Sequence, residues 1–339
     1  MSGADHLRWA VSLFSFTNEL LAATAPPDAL LAALIAAEPG STVEIDAAQH
    51  FRSFPVLDPG EVARTAGVVD AGGGAVSLLG GGAEVVPSPG RPIDEAVVLA
   101  QLASQVAAAR MLGAAGVRLP FGVLPWPVLR RAAEDARTAG VLLLEEVQGP
   151  LDPAGPQVLG RLAELERAGE TGVRLLLDTS AVMSGLPPTY LRALHAEGVD
   201  DDLVQRLVAA FAAGRVAPEV LPRLGDPTLS PAARSLLITA MTRFGSRAPS
   251  AWLAHAPWIA SVHLKWWDLD SAEADLAGPV GTVLDGLLDA GFSGVVCSEW
   301  GGHEWQPLGV SAADGSAAHR RLVESRLAER PTDLRAKAT

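Results

Sequence analysis

The sequence predicts an α/β fold: a (β/α)8 TIM barrel with a helical insertion between strands six and seven. Three observations predict it. Short, continuous apolar runs recur eight times in the 339 residues, segments with helical apolar spacing separate most of them, and the last four runs end in acidic or imidazole side chains. Such runs are what strands buried on both faces require. Eight strand–helix alternations in one chain favour a barrel over a doubly wound sheet. One domain is expected over 1–329, followed by a polar tail, 330–339, that frays.

The strands are taken in order as Leu7–Phe14, Thr42–Ile45, Ala75–Leu79, Gly116–Leu119, Val141–Glu146, Val173–Asp178, Ile259–Leu264 and Gly294–Glu299. Asp28–Ala37 and Asp94–Leu112 repeat Leu and Ala at helical spacing. Pro127–Thr138 opens with proline at a helix start and carries Arg and Glu on its polar face. Pro153–Ala168, Ser271–Asp289 and Asp314–Leu327 behave alike. Glycines 72–74 and 80–82 bracket the third strand. Gly80-Gly-Gly-Ala-Glu-Val lacks the last glycine of a dinucleotide-binding loop and would set Glu84 against a phosphate, so it reads as a plain loop.

One connection is too long. Asp178 and Ile259 are separated by about eighty residues, far beyond a single-helix crossover. Asp201–Ala213 and Pro231–Phe244 look helical, so an insertion is expected at about 185–257. It either covers the barrel mouth, as a lid or partner-binding surface, or packs against the barrel's side.

The formal net charge of −13 repels nucleic acid and anionic membranes, so neither is expected as a partner. No apolar stretch approaches the ~20 residues that span a bilayer. Trp9–Phe16 has the look of a signal-peptide core, but Asn18 and Glu19 interrupt it and Asp5 spoils the positive flank. Cys297 is the only cysteine, so no disulfide can form within the chain, which suits a reducing cytoplasm.

The strand ends carry the chemistry. Glu146, Asp178, His263 and Glu299 close apolar runs five to eight. A buried strand tolerates such residues when they are paired or bound to metal. In a barrel, the C-terminal strand ends converge on one mouth, so the four lie side by side. Three carboxylates together raise one another's pKa unless a cation is present. A shell of oxygens and imidazole suits Mn²⁺, Mg²⁺, Co²⁺ or Zn²⁺, with Mn²⁺ first on ligand hardness. Glu145 should point to the opposite face, and becomes the ligand if the register shifts by one.

On these residues the chain resembles the xylose isomerase-like barrels, or sugar phosphate isomerases/epimerases, which bind a divalent metal through Glu, Asp, His and Glu at these strand ends. Ser12-Leu-Phe-Ser-Phe-Thr-Asn-Glu19, Gln49-His-Phe-Arg-Ser-Phe-Pro55 and Ser298-Glu-Trp-Gly-Gly-His303 are similar to the α subunit of the C-glycoside deglycosidases. Those enzymes cleave a carbon–carbon bond between a 3-oxo sugar and an aromatic aglycone, usually with a small β subunit. The resemblance implies a lyase of oxidised glycosides. The alternative on the same site is a keto-sugar isomerase or epimerase, or a keto-polyol dehydratase. It also implies a small β subunit as partner, and a homo- or hetero-oligomer. In both chemistries a Lewis acid on a keto oxygen stabilises an enolate after loss of the α proton. A β leaving group then departs, or reprotonation gives the isomer. Many relatives read Glu-Ile-His at the fifth strand, where this chain has Glu146-Val-Gln148. Glutamine cannot shuttle a proton, so the base lies elsewhere. The seventh strand often reads His-x-Lys-Phe, and here it is His263-Leu-Lys-Trp266.

The catalytic candidates are His303, Lys265, Glu146 and Glu299. His303 follows the eighth strand and titrates near neutrality, as a base or as a loop histidine in solvent. His303-Glu304-Trp-Gln-Pro307 lacks the second histidine of a zinc-protease helix. Lys265 shares a strand face with His263, and either polarises a carbonyl, bonds a sugar hydroxyl, or pairs with Glu299. His50 and Arg52 follow the second strand as substrate contacts. Trp266, Trp300 and Trp305, with Trp267, cluster after strands seven and eight, as stacking faces for substrate or as a hydrophobic rim. His6, His195, His255 and His319 lie away from strand ends and read as surface or structural.

Overall fold

The computed structural model describes residues 7–23, 25–38, 40–85, 94–169, 172–306 and 310–329; His6, Pro307 and the tail from Arg330 lie outside them. The strands are β1 (Arg8–Ser12), β2 (Thr42–Asp46), β3 (Ala75–Gly80), β4 (Gly116–Pro120), β5 (Leu142–Val147), β6 (Val173–Asp178), β7 (Ile259–Trp266) and β8 (Val295–Trp300). They close into a barrel in chain order, and β8 pairs in parallel with β1. Each apolar run of the sequence overlaps one of these strands. The first is shorter than expected because Ser12 Oγ accepts the Phe14 N–H and turns the chain into a tight helical turn, Leu13–Phe16.

The outer helices pack their apolar sides on the strands. Pro156–Ala168, for example, buries Val158, Leu162 and Leu165, each side chain contributing roughly 1.5–3 kcal/mol. The helix Pro59–Ala71 is absent from the sequence expectations. Its buried face is sparse (Val62, Thr65, Val69), but its start is explicit: Asp58 caps the Glu61 N–H and proline occupies the first turn. The expected helix Ser271–Asp289 is two, Leu269–Ala277 and Pro279–Asp289. Pro279 lacks the N–H that a continuous helix needs, and a Cβ at Gly281 would lie 2.0 Å from the Leu276 carbonyl oxygen.

The β6–β7 connection carries helices Pro188–Ala196, Asp201–Ala212 and Pro231–Thr242. They share a core of their own that includes Tyr190, Leu207, Phe211, Leu237 and Phe244. Trp267, directly after β7, belongs to this core, and its indole stacks on Trp305 at 5.2 Å between ring centres.

Alternation decides what the barrel interior holds. Leu144 and Glu146 point to one face of β5, as do Leu176 and Asp178 on β6. Leu78, Leu144 and Leu176 form a small apolar cluster. One step nearer the C-terminal strand ends, charged side chains replace the leucines.

Candidate metal centre

The register brings the charges together. Asp178 pairs with His263 across β6–β7, and Lys265 pairs with Glu299 across β7–β8. Glu146 on β5 lies opposite Leu176 of β6. Glu146, Asp178, His263 and Glu299 are all buried, and one donor atom of each lies within 4.8 Å of the other three.

Each carboxylate is tethered by one oxygen and presents the other. Arg118 Nη1 donates to Glu146 Oε2 at 2.6 Å, leaving Oε1 at 3.0 Å from His263 Nδ1. The Ser180 N–H donates to Asp178 Oδ1 at 2.7 Å. Lys265 Nζ donates to Glu299 Oε1 at 2.5 Å. The second oxygens, Asp178 Oδ2 and Glu299 Oε2, are buried and accept no hydrogen bond. They lie 4.0 and 3.3 Å from His263 Nδ1. A buried acceptor without a donor is costly. A divalent cation among Glu146 Oε1, Asp178 Oδ2, His263 Nδ1 and Glu299 Oε2 satisfies both oxygens, and three carboxylates with one imidazole suit a hard or borderline ion. The residues therefore fit the expected metal.

Burial opposes charge on all these groups, and their neighbours decide the outcome. For Asp178 burial prevails over the attraction of Lys265, and Glu146 and Glu299 add to it, so its pKa rises to about 6. For Glu146 the charge of Arg118 and the His263 hydrogen bond outweigh burial and bring it to about 2. Lys265 and His263 outweigh burial at Glu299 and hold it low. Burial would neutralise His263, but Glu44, Glu299 and Glu146 raise its pKa well above the usual value. A proton on the ring thus offsets part of the carboxylate charge.

Glu44 and Arg118 were not singled out in the sequence. Glu44 sits inside β2, 2.9 Å from His263 Nε2. Arg118, inside β4, donates through Nε to Glu44 Oε1 at 2.7 Å and pairs with Asp46 at 3.4 Å. The signal was available: a charged residue in the middle of an apolar strand. Glu145 faces away from the interior, on the Gly122 N–H and Arg161.

The other candidates are dispersed. His303 Nδ1 donates to the Trp300 carbonyl at 3.0 Å, which leaves Nε2 as an acceptor. Its ring meets Phe14 edge-on, and burial with the nearby Lys265 charge lowers its pKa to about 4. It lines a cavity of roughly 680 Å³ with Phe14, Asn18, Leu236, Arg243 and Trp305. A second cavity, roughly 500 Å³, reaches Glu146 and Gln148 past Phe121, Trp126 and Arg161. Lys265 makes the Glu299 pair and lies over the rings of Phe14 and Trp267.

His50, Trp266 and Trp300, expected as substrate contacts, are each engaged with other groups of the chain. His50 is turned away, onto Asp28 and Thr65. Trp266 is buried on the wall, stacked on His319 and bonded to Ser298 Oγ. Trp300 stacks on Trp266 and donates to the Trp267 carbonyl. Lys265 faces inward, so its neighbour Trp266 must face outward. Arg52 is exposed, and Trp305 is half-buried at the 680 Å³ cavity. His319 is buried against Ser298, His255 bonds the Pro153 carbonyl, and His195 pairs with the exposed Asp201.

No family model matches the chain. It is 26% identical over 314 residues to the 3'-dehydrocarminate deglycosidase alpha subunit of Microbacterium sp, covering 88% of this chain and 89% of that one. It is 24% identical over 344 residues to the C-glycoside deglycosidase alpha subunit of Microbacterium trichothecenolyticum, covering 96% and 92%. Among solved structures, an L-ribulose 3-epimerase superposes with a TM-score of 0.54 at 18% identity over 98% of this chain and 97% of that one. A sugar phosphate isomerase/epimerase of Parabacteroides distasonis gives 0.52 at 12% identity over 96% and 95%. The 3-keto-D-glucoside 4-epimerase of E. coli gives 0.51 at 12% identity over 94% and 98%. The chain shares its barrel fold with these isomerase and epimerase structures, and its sequence relatives are named deglycosidase alpha subunits.

Proposed function

We propose that this chain is a divalent-metal-dependent carbohydrate lyase. It cleaves the glycosidic C–C or C–O bond of 3-oxo-glycosides by enolate formation and β-elimination. One observation carries the reading: three tethered carboxylates and His263 Nδ1 present four donor atoms within 4.8 Å of one another at adjacent strand ends. The substrate class follows from the relatives, which are named deglycosidase alpha subunits and align over most of this chain. That name also supports a small β subunit as partner.

A divalent cation, Mn²⁺ first, would supply Lewis acidity toward a keto oxygen. The chain's own residues do the rest. Arg118, Ser180 and Lys265 hold one oxygen of each carboxylate ligand, so the donor set is fixed before a cation arrives. His303, kept neutral by burial and with Nδ1–H committed to the Trp300 carbonyl, offers Nε2 to take the proton α to the carbonyl. Lys265, held on Glu299, has further ammonium hydrogens with which it would bond a sugar oxygen. The aglycone then leaves from the β carbon with the bonding pair and takes up the proton that His303 removed, and water exclusion falls to Trp305, Phe14 and the β6–β7 helices around the 680 Å³ cavity.

A second reading, keto-sugar isomerase or epimerase, uses the same cation and the same proton transfer. The epimerase structures with this fold favour keeping it. Incubation of the Mn²⁺-loaded chain with a 3-oxo-C-glycoside, alone and with a candidate β subunit, separates the two. Free aglycone is the expected product. A rearranged sugar with the aglycone still attached establishes the isomerase instead. No reaction and no bound metal would remove both.

A further inference from the structure

The nitrogen that His263 offers to a cation is set by a residue outside the ligand set. Glu44 is buried to 1% exposure inside β2. Its Oε2 lies 2.9 Å from His263 Nε2, and its Oε1 accepts from Arg118 Nε at 2.7 Å. The other ring nitrogen, Nδ1, faces Glu146 Oε1 at 3.0 Å, Glu299 Oε2 at 3.3 Å and Asp178 Oδ2 at 4.0 Å. A neutral imidazole carries one N–H, and an ionised carboxylate only accepts. Carboxylates face both nitrogens, but those at Nδ1 belong to the donor set and would turn their free oxygens to a cation, so Glu44, on the far side of the ring, is the carboxylate that keeps a proton on Nε2 when Nδ1 gives its proton up.

We infer that Glu44 is a positioning residue: it holds His263 as the Nε2–H tautomer and thereby presents the Nδ1 lone pair to a divalent cation. The inference rests on the cation reading above. Arg118 completes the device, because one guanidinium bonds both Glu44 and Glu146 and so locks the positioning residue to the first ligand. The sequence leaves room for it: a Cβ at Gly80 would lie 2.6 Å from Arg118 Nη2. Glu44, His263 and Cys297 also bring one donor atom each within 4.8 Å. A cation there would use Nε2, but both Glu44 oxygens are already engaged and Cys297 sits in an apolar cluster with Ala10 and Val295.

The test uses the full chain with ¹⁵N-labelled histidine, titrated with ¹¹³Cd²⁺ alone. The expected result is one cadmium coupled to His263 Nδ1, with the proton on Nε2. Coupling to Nε2 overturns the inference while leaving a cation site. A wild-type chain that takes up no cadmium removes the cation site and the inference together. Glu44→Ala is expected to weaken cadmium binding about 10–100-fold. Glu44→Gln, whose amide oxygen still accepts from Nε2–H, is expected to lose less and to keep the Nδ1 coupling. Circular dichroism melts establish that each variant is folded. Glu44→Ala binding as tightly as wild type overturns the role of Glu44, and if that variant does not fold, the wild-type and Glu44→Gln coupling patterns decide.

Discussion

The two halves of the barrel meet on one interior with different tasks. Strands β5 to β8 supply Glu146, Asp178, His263 and Glu299. Strands β2 and β4 supply Glu44, Asp46 and Arg118. The second half holds the proposed donors, and the first half bonds two of them: Arg118 to Glu146 and Glu44 to His263. A set of residues at strand ends is a list of donors. It becomes a site when each donor has one atom fixed and another free.

The comparison breaks most sharply at a donor. His263→Ala should lose bound metal and activity by more than the about 10–100-fold expected of an outer-shell change. Glu146→Gln should behave alike. Metal analysis of the purified variants with turnover of a 3-oxo-glycoside checks this, and survival of both properties in both variants would refute the strand-end assignment.

Arg118→Leu tests the first half. It removes the guanidinium that pairs with Glu44, Asp46 and Glu146 and leaves only His263 against Glu44 and Glu146, and breaking such an arrangement costs about 3–5 kcal/mol. Urea unfolding should show that loss, and added Mn²⁺ should restore more stability to the variant than to the parent. Equal stabilisation of both would mean that Arg118 does not share the task of charge compensation with a cation.

The smallest effect concerns the wall outside β7 and β8. Burial lowers the pKa of His319 to about 3. An unfolded histidine takes up a proton below about 6.5 while the folded one stays neutral, so stability should fall as pH drops from 6.5 toward 3. The fall should amount to on the order of 3 kcal/mol by pH 4, and His319→Gln should flatten it in denaturant midpoints measured against pH. An unchanged slope would place the acid sensitivity among the interior charges, where burial also holds His303 low.

Much of this was legible in the sequence. All eight strands followed from continuous apolar runs, because a parallel barrel strand is buried on both faces. The cluster of Glu146, Asp178, His263 and Glu299 was expected from charges that end those runs. Glu44 and Arg118 were passed over because each sits inside a run rather than at its end, although a mid-strand charge is the stronger anomaly of burial. The tryptophans part company in the structure, because closeness in sequence says nothing about facing: Trp305 lines the 680 Å³ cavity while Trp266 and Trp300 are buried in the wall. Strand alternation sends Trp266 outward once Lys265 points in. The helix Pro59–Ala71 was missed because its apolar face is thin, although Asp58-Pro59 marks its start.

The central claim is that four named atoms hold one divalent cation. Crystals of the chain grown with Mn²⁺ and measured at an anomalous wavelength test it most directly. The expected result is one peak at about 2.0–2.3 Å from Glu146 Oε1, Asp178 Oδ2, His263 Nδ1 and Glu299 Oε2. No peak there, or a peak between Glu44, His263 Nε2 and Cys297, would contradict the account.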